Sequence, residues 1–471
     1  MQLLNPYSDY APELYPELFT PLELLLEEEV GGPTQKKQAP PVVPKAPKCS
    51  ALPCLVGPCL DHNLSGVKLL PSGNIVPGPL KLCPEVMNPG FIDASIDTVT
   101  PAKWLQGALN QLITTKYAAT KDHMSAALVD LTGPRLFAPE FAGWRETVQT
   151  VGGSVPKLLP LYALFQLQQD LQLLANSRHI ADKKVLVSEM RKQWARDKLG
   201  VSQQPKIEDL MLLVEKRPAS VEVRVAPALS EVLCCTFVSP CDRPATILID
   251  KLGFSYLSSI AWQSGLFHKK RGGLWLDWNY GAKPDCEKKC KDEGDHVPCN
   301  NLFPTFKPTS SPVILSARLG IPKVNHINVT ALSAATYFTL MAQERLGGVA
   351  ASKPISDVLK EACTLFKAPR KGTTDGDCVR RGYPDPSLHY GRSPTKCGLT
   401  TSPLVRHDCI LVNRTVKSKV RGDKKLRYVV VLLTVDAVDA SGKPLKGKRA
   451  ECFFRNGFLI DVDNLIQVRN P

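Results

Sequence analysis

An α+β fold is predicted for this chain: an antiparallel sheet built from both chain ends, flanked by helices, with a mostly helical lobe inserted between. Three observations predict it. A short apolar run of β type occurs at Ala126–Leu131, and comparable runs return only at Cys409–Val412 and Arg427–Val435. The long helix-periodic stretches fall between these strands. One helix pattern precedes the first strand, and another, Phe458–Ile466, closes the chain.

Residues 1–99 are read as a peripheral extension. Pro33, Pro40, Pro41, Pro44, Pro47, Pro53 and Pro58, mixed with lysines, favour an extended spacer. Residues 100–471 are read as one domain, its sheet lobe at 100–153 and 394–471 and its helical lobe at 154–393. Trp104, Leu105, Leu109, Leu112 and Ile113 fit the first helix. After the strand at Ala126–Leu131, Thr132-Gly133-Pro134 turns the chain, and Arg135–Ala138 is expected to return it as a second strand. Residues 178–225 read as helix-prone, and further helices are expected at Ala245–Gln263 and Val329–Leu346. The basic segment Lys417–Lys425 joins the late strands as a hairpin turn.

Composition narrows the partners. The chain has 471 residues, 43% of them hydrophobic, enough for a sizeable core. Its net charge of +14 favours an anionic partner such as an acidic wall polymer, or serves solubility alone. A nucleic-acid partner is not expected, because no aromatic residues interleave with the basic run from Lys417 to Arg427. No stretch approaches the ~18–20 apolar residues that span a bilayer. The first thirty residues are acidic and lack the basic start of a signal peptide. Fifteen cysteines, clustered in loops, point instead to an oxidising compartment, with one thiol left over. Asn63, Asn328 and Asn413 fit the Asn-x-Ser/Thr glycosylation pattern.

The chemistry is sought where a serine opens a buried helix. Ser-x-x-Lys occurs three times, as Ser65/Lys68, Ser154/Lys157 and Ser393/Lys396. Only Ser154 begins a long apolar-periodic run, in which Leu158, Leu161, Tyr162, Phe165 and later leucines recur at three- and four-residue steps. Pro156 suits the first turn, where its missing N–H costs nothing. A serine hydroxyl needs an adjacent base to become a nucleophile. A lysine one turn on, held in an apolar pocket beside another cation, loses proton affinity and can be that base. The plain alternative is a helix cap followed by an exposed lysine.

A second segment, Lys396-Cys397-Gly398-Leu399, lies just before the late strand pair. A lysine two residues before a glycine on an edge strand can face a pocket while the following backbone approaches a substrate. Together, Ser154-Val155-Pro156-Lys157 at a helix start and Lys396-Cys397-Gly398 resemble the Ser-x-x-Lys and Lys-Thr-Gly boxes of the penicillin-recognising serine hydrolases, the serine β-lactamases and DD-peptidases. The resemblance extends over residues 100–471. It implies a β-lactamase/transpeptidase-like fold, with Ser154 as acylated nucleophile and Lys157 as its proton acceptor. It implies an oxyanion hole from the backbone N–H groups of Ser154 and Leu399, next to Gly398. Lys396 would bind a substrate carboxylate. Ser255, in Ser255-Tyr256-Leu257, is the middle-box candidate, with Ser258 and Ser259 as alternatives; Leu257 stands where the family has asparagine, and Cys397 where it has threonine. No Glu-x-x-Leu-Asn loop is visible. The implied substrate is a β-lactam, a D-alanyl peptide or a related amide or ester, met in the periplasm or outside the cell, with no cofactor. The alternative reading is a catalytically silent relative that binds wall peptide or a protein partner.

Two other groups of side chains carry candidate chemistry. Cys286, Cys290, His296 and Cys299 offer four soft ligands to zinc, but their spacing departs from common finger patterns, and disulfides in a secreted loop are the preferred reading over a metal site. Trp262, Trp275, Trp278 and Tyr280 would either line a groove beside the serine or belong to the core.

Overall fold

The computed structural model describes residues 101–136, 138–196, 204–216, 220–237, 242–268, 272–276, 280, 327–361, 393–401, 403–416 and 423–470. The proline-rich extension, Ser65, Trp278, the cysteine- and histidine-bearing segment 286–299 and most of the basic turn after residue 416 lie outside them.

The chain enters through α1 (Lys103–Lys116), then β1 (Met124–Asp130), β2 (Glu140–Trp144) and the short β3 (Thr150–Val151). The helical part follows: α2 (Leu158–Ser177), α3 (Lys183–Arg196), a hairpin of β4 (Met211–Lys216) and β5 (Ser220–Val225), then α4 (Ala228–Phe237), α5 (Asp242–Leu252) and α6 (Phe254–Gln263). Short strands β6 (Phe267–His268), β7 (Gly272–Gly273), β8 (Trp275–Leu276) and β9 (Ile327–Val329) lead to α7 (Ala331–Ala342) and α8 (Val349–Glu361). The chain ends with β10 (Thr395–Thr401), β11 (Leu404–Val416), β12 (Lys424–Val435) and α9 (Leu459–Arg469).

The fold is α+β. Its main sheet has the order β10-β11-β12-β1-β2, so the first strand of the chain pairs with the last. That pairing is antiparallel, with Leu128 opposite Val430. Both faces are covered. Ala127, Val129, Cys409, Leu411, Val429 and Val431 pack with α2 and α7. Their strand neighbours Ala126, Leu128, Ile410, Val412, Val430 and Leu432 pack with α1 and α9. Burial on two sides explains why all seven residues of β1 are buried and read as a continuous apolar run instead of an alternation. On the α9 side, buried Asp463 is held by Arg414, whose Nε donates at 2.7 Å, and by the Tyr428 hydroxyl.

Several expected elements need correction. Arg135–Ala138 is not the returning strand: Gly133–Leu136 is a 3-10 turn, and β2 begins at Glu140. Gly133 takes φ +58, where other residues are disfavoured, and Pro134 supplies no N–H. Arg135 then bridges the two strands, 3.5 Å from Asp130 and 3.2 Å from Glu140. Among the described residues of 178–225, helix is confined to Lys183–Arg196 and the short turn Ile207–Leu210, after which the alternating valines of β5 pair that strand with β4. Gln168 and Gln172 of α2 donate to the carbonyls of Val223 and Val221, satisfying groups at that hairpin. Ala245–Gln263 is broken into α5 and α6 at Gly253, which takes φ +80. The expected Val329–Leu346 helix is preceded by β9 and starts after Thr330, where Thr330 and Ser333 form a reciprocal capping box. Asn328 is fully buried in β9, which leaves no room for a glycan there.

Candidate active site

Ser154 sits where three backbone segments converge. Its lead-in strand β3 pairs with β9, and the Gly152 N–H donates to Ile327 O at 2.9 Å. Gly153 takes φ +53, a left-handed conformation that glycine adopts more readily than residues with a side chain. The chain then forms the 3-10 turn Val155–Lys157, with Pro156 inside it, and continues directly as α2. Ser154 is half-buried, and its hydroxyl does not cap the helix. Lys157 is fully buried. The cap-and-exposed-lysine alternative therefore does not describe this pair.

The second segment reaches the same place from the sheet. Lys396 and Gly398 lie on edge strand β10, with Gly398 opposite His407 and Lys396 opposite Cys409 of β11. A Cβ added to Gly398 would lie 2.7 Å from Gly152 O and 3.0 Å from Val155 Cγ2. One added to Gly153 would lie 3.0 Å from the Leu399 nitrogen. Two glycines thus allow the backbone before Ser154 to rest directly on the backbone of Gly398 and Leu399. The Leu399 side chain is 40% exposed, so its backbone lies near the surface of the domain.

The two lysines belong to one electrostatic cluster. Lys157 Nζ donates to Asp242 Oδ1 at 2.8 Å and lies 4.6 Å above the Tyr280 ring. Burial lowers its proton affinity; Asp242 opposes this, and the Lys396 charge adds to it. Lys396 is also fully buried, with its Nζ 5.5 Å from the Phe237 ring centroid and no hydrogen-bond partner among the described residues. A buried ammonium without hydrogen bonds is costly, and an anion brought to it would relieve that cost. Cys397 and Cys409 are buried thiols, so the remaining thirteen cysteines can make at most six pairs. Burial, reinforced by Asp408, pushes the Cys409 thiol well above its usual range, which keeps it protonated.

Three contributors come from positions the sequence did not assign to the site, and a fourth, Tyr280, from the groove-or-core aromatics. Asp242 begins α5 and carries a half-exposed carboxylate. Tyr280, foreseen only as a groove aromatic, donates its hydroxyl to Gly153 O at 3.0 Å and covers Lys157. Burial, with Asp242 nearby, raises its phenol well above the usual range, so it stays a donor. Phe237 ends α4 beneath Lys396. His407 Nδ1 accepts from Thr434 N–H at 3.0 Å, and its Nε2 lies 2.7 Å from Val151 O. Asp-Arg-Pro at a helix start was the available signal for Asp242; nothing local marked His407. Ser255 is carried by α6, with its side chain outside the described residues, as are those of Ser258 and Ser259. Trp275 is core, its ring 4.4 Å from that of Phe267, and the side chain of Trp262 is outside the described residues. The candidate metal ligands Cys286, Cys290, His296 and Cys299 also fall outside them.

No known protein family and no curated protein matches the sequence. Solved structures are similar in outline. The β-lactamase of Sphaerobacter thermophilus DSM 20745 is 11% identical over 77% of this chain and 97% of its own, with a TM-score of 0.37. TLA-3 extended-spectrum β-lactamase is 11% identical over 77% of this chain and 99% of its own, at 0.39. PBP-A is 12% identical over 77% of this chain and 97% of its own, at 0.32. At such values the likeness says nothing about chemistry, which rests on the residues themselves.

Proposed function

We propose that the chain is a serine acyl-transfer hydrolase of the β-lactamase/DD-peptidase type, acting on a β-lactam, a D-alanyl peptide or a related amide or ester. The observation that supports it most is the buried Lys157, one turn after Ser154 and within electrostatic reach of Lys396. Lys157 in its neutral form takes the Ser154 proton, and Asp242 stabilises the ammonium that results. The serine oxygen attacks the substrate carbonyl, and the backbone N–H groups of Ser154 and Leu399 hold the developing oxyanion. The bond to the leaving group breaks as that group receives a proton, Ser255 being one candidate relay. Water then releases the acyl group. Lys396 draws in the substrate carboxylate.

A second reading, a silent relative that binds wall peptide or a protein partner, is favoured by the Asp242–Lys157 bond. A carboxylate at 2.8 Å favours the lysine's charged form against the effect of burial, and that form cannot act as a base. A fluorescent penicillin separates the two. Covalent labelling that vanishes in Ser154→Ala supports the hydrolase. Reversible binding, unchanged in that variant, supports the silent relative.

A further inference from the structure

The approach of the serine segment to the sheet is held by a group that the proposed chemistry does not use. His407 is completely buried on β11, directly opposite Gly398. Its Nδ1 accepts the Thr434 N–H, a bond that only an unprotonated Nδ1 can make. The ring proton of the neutral imidazole must then sit on Nε2, which donates to Val151 O at 2.7 Å. Val151 lies three residues before Ser154, and its own strand is paired on the other side with Asn328 of β9. One imidazole thus ties the lead-in to Ser154 to the backbone of β12, across the strand that faces Gly398.

We propose that His407 is a positioning residue for Ser154, its Nε2–H to Val151 O bond fixing how closely the Ser154 backbone approaches that of Leu399. This rests on the reading of Ser154 as nucleophile, but the clamp itself is a statement about geometry. The alternative anchors are few. Gly398 carries no side chain, and Gly152 O faces it without room for one. The charges around the ring are accounted for. On its own strand, Arg406 turns to the Thr400 and Val405 carbonyls, and Asp408 accepts from the Cys409 N–H. From β10, Lys396 lies on the Gly398 face two residues away, whereas β3 and β12 present the uncharged Val151 and Thr434. Burial pushes the imidazole down to about 4, so the neutral clamp holds above that pH. Protonation would put a hydrogen on Nδ1, facing the Thr434 N–H, and break the clamp at that end.

Two conservative variants separate positioning from mere packing. His407→Gln can place an amide N–H near the Nε2 position and keep the bond to Val151. His407→Asn reaches only the Nδ1 position and loses it. Labelling of Ser154 by a fluorophosphonate should stay within a few-fold of wild type in the glutamine variant and fall by at least about tenfold in the asparagine variant. The wild-type rate should fall along an acid limb with a midpoint near 4, and the glutamine variant should lack that limb. Imidazole nitrogen shifts and the Gly153 and Ser154 amide resonances, followed by NMR, decide the point even if Ser154 never labels. The clamp predicts an Nε2–H tautomer at neutral pH, and amide shifts that move in the asparagine variant but not in the glutamine one. An Nδ1–H tautomer, or two variants indistinguishable from each other in both amide shifts and labelling, would overturn the proposal.

Discussion

Replacing Lys157 by methionine should stabilise the protein at neutral pH while removing its proposed base. Lys157 is fully buried at the end of the 3-10 turn, and methionine fills a similar volume without a charge. Replacing a buried ion pair by well-packed apolar groups ranges from neutral to a gain of about 1–4 kcal/mol, and removing one partner alone is destabilising only when the other charge is left buried. The partner left behind is not stranded: Asp242 has 53% of its side chain exposed and lies in the first turn of α5, where water and the helix dipole favour a carboxylate. The pH dependence gives the stricter test. Burial lowers the Lys157 pKa in the folded state, so between that value and the ordinary 10.5 the unfolded chain binds more protons than the folded one. Wild-type stability therefore rises with pH across that window. The advantage of methionine should be largest near neutrality and shrink as pH nears the ordinary lysine range. Guanidinium unfolding of both proteins, at neutral pH and again near pH ~10, measures this directly. A methionine variant that is less stable at neutral pH, or whose difference does not change with pH, would show that Lys157 is not a desolvated ammonium.

The same site makes other outcomes measurable. In Asp242→Asn, the charge that holds the Lys157 pKa up is gone, so the rising limb of the Ser154 labelling rate should move to lower pH; a move to higher pH would contradict the pairing. In Gly398→Ala, the new methyl would meet Gly152 O at 2.7 Å and Val155 Cγ2 at 3.0 Å. That overpacking should cost about 1–3 kcal/mol. It should also slow acylation by about tenfold or more, because backbone displaced by a fraction of an ångström misaligns the oxyanion donors. Thermal unfolding and labelling rates, measured together, separate the two effects.

Much of the fold was legible because it depends on local pattern. The periodic leucines of α2, the apolar runs of β1 and β12 and the amphipathic α1 each announce themselves within a dozen residues. The turn at Gly133 misled because Arg135-Leu136-Phe137-Ala138 carries a strand-like composition, while the ion pairs that fix it as a turn come from Asp130 and Glu140. The β4–β5 hairpin was overlooked because its charged residues resemble a solvated helix face. Ser154, Lys157 and Lys396 are marked in the sequence by their spacing and their neighbouring glycines. Asp242, Phe237 and His407 are not, since they reach Lys157, Lys396 and the backbone of Val151 by tertiary packing from separate elements. Burial also decided what spacing left open. Ser-x-x-Lys in sequence does not say whether the lysine faces water, and here it faces a carboxylate, a second ammonium and a phenol ring.

Treatment with a fluorophosphonate, followed by peptide mapping by mass spectrometry, tests the whole account most directly, because the reagent requires an activated serine and no knowledge of the substrate. The account predicts one adduct, on the peptide containing Ser154, that forms faster as pH rises and is lost in both Ser154→Ala and Lys157→Met. An adduct on another serine, or an unmodified protein after prolonged exposure at alkaline pH, would contradict it.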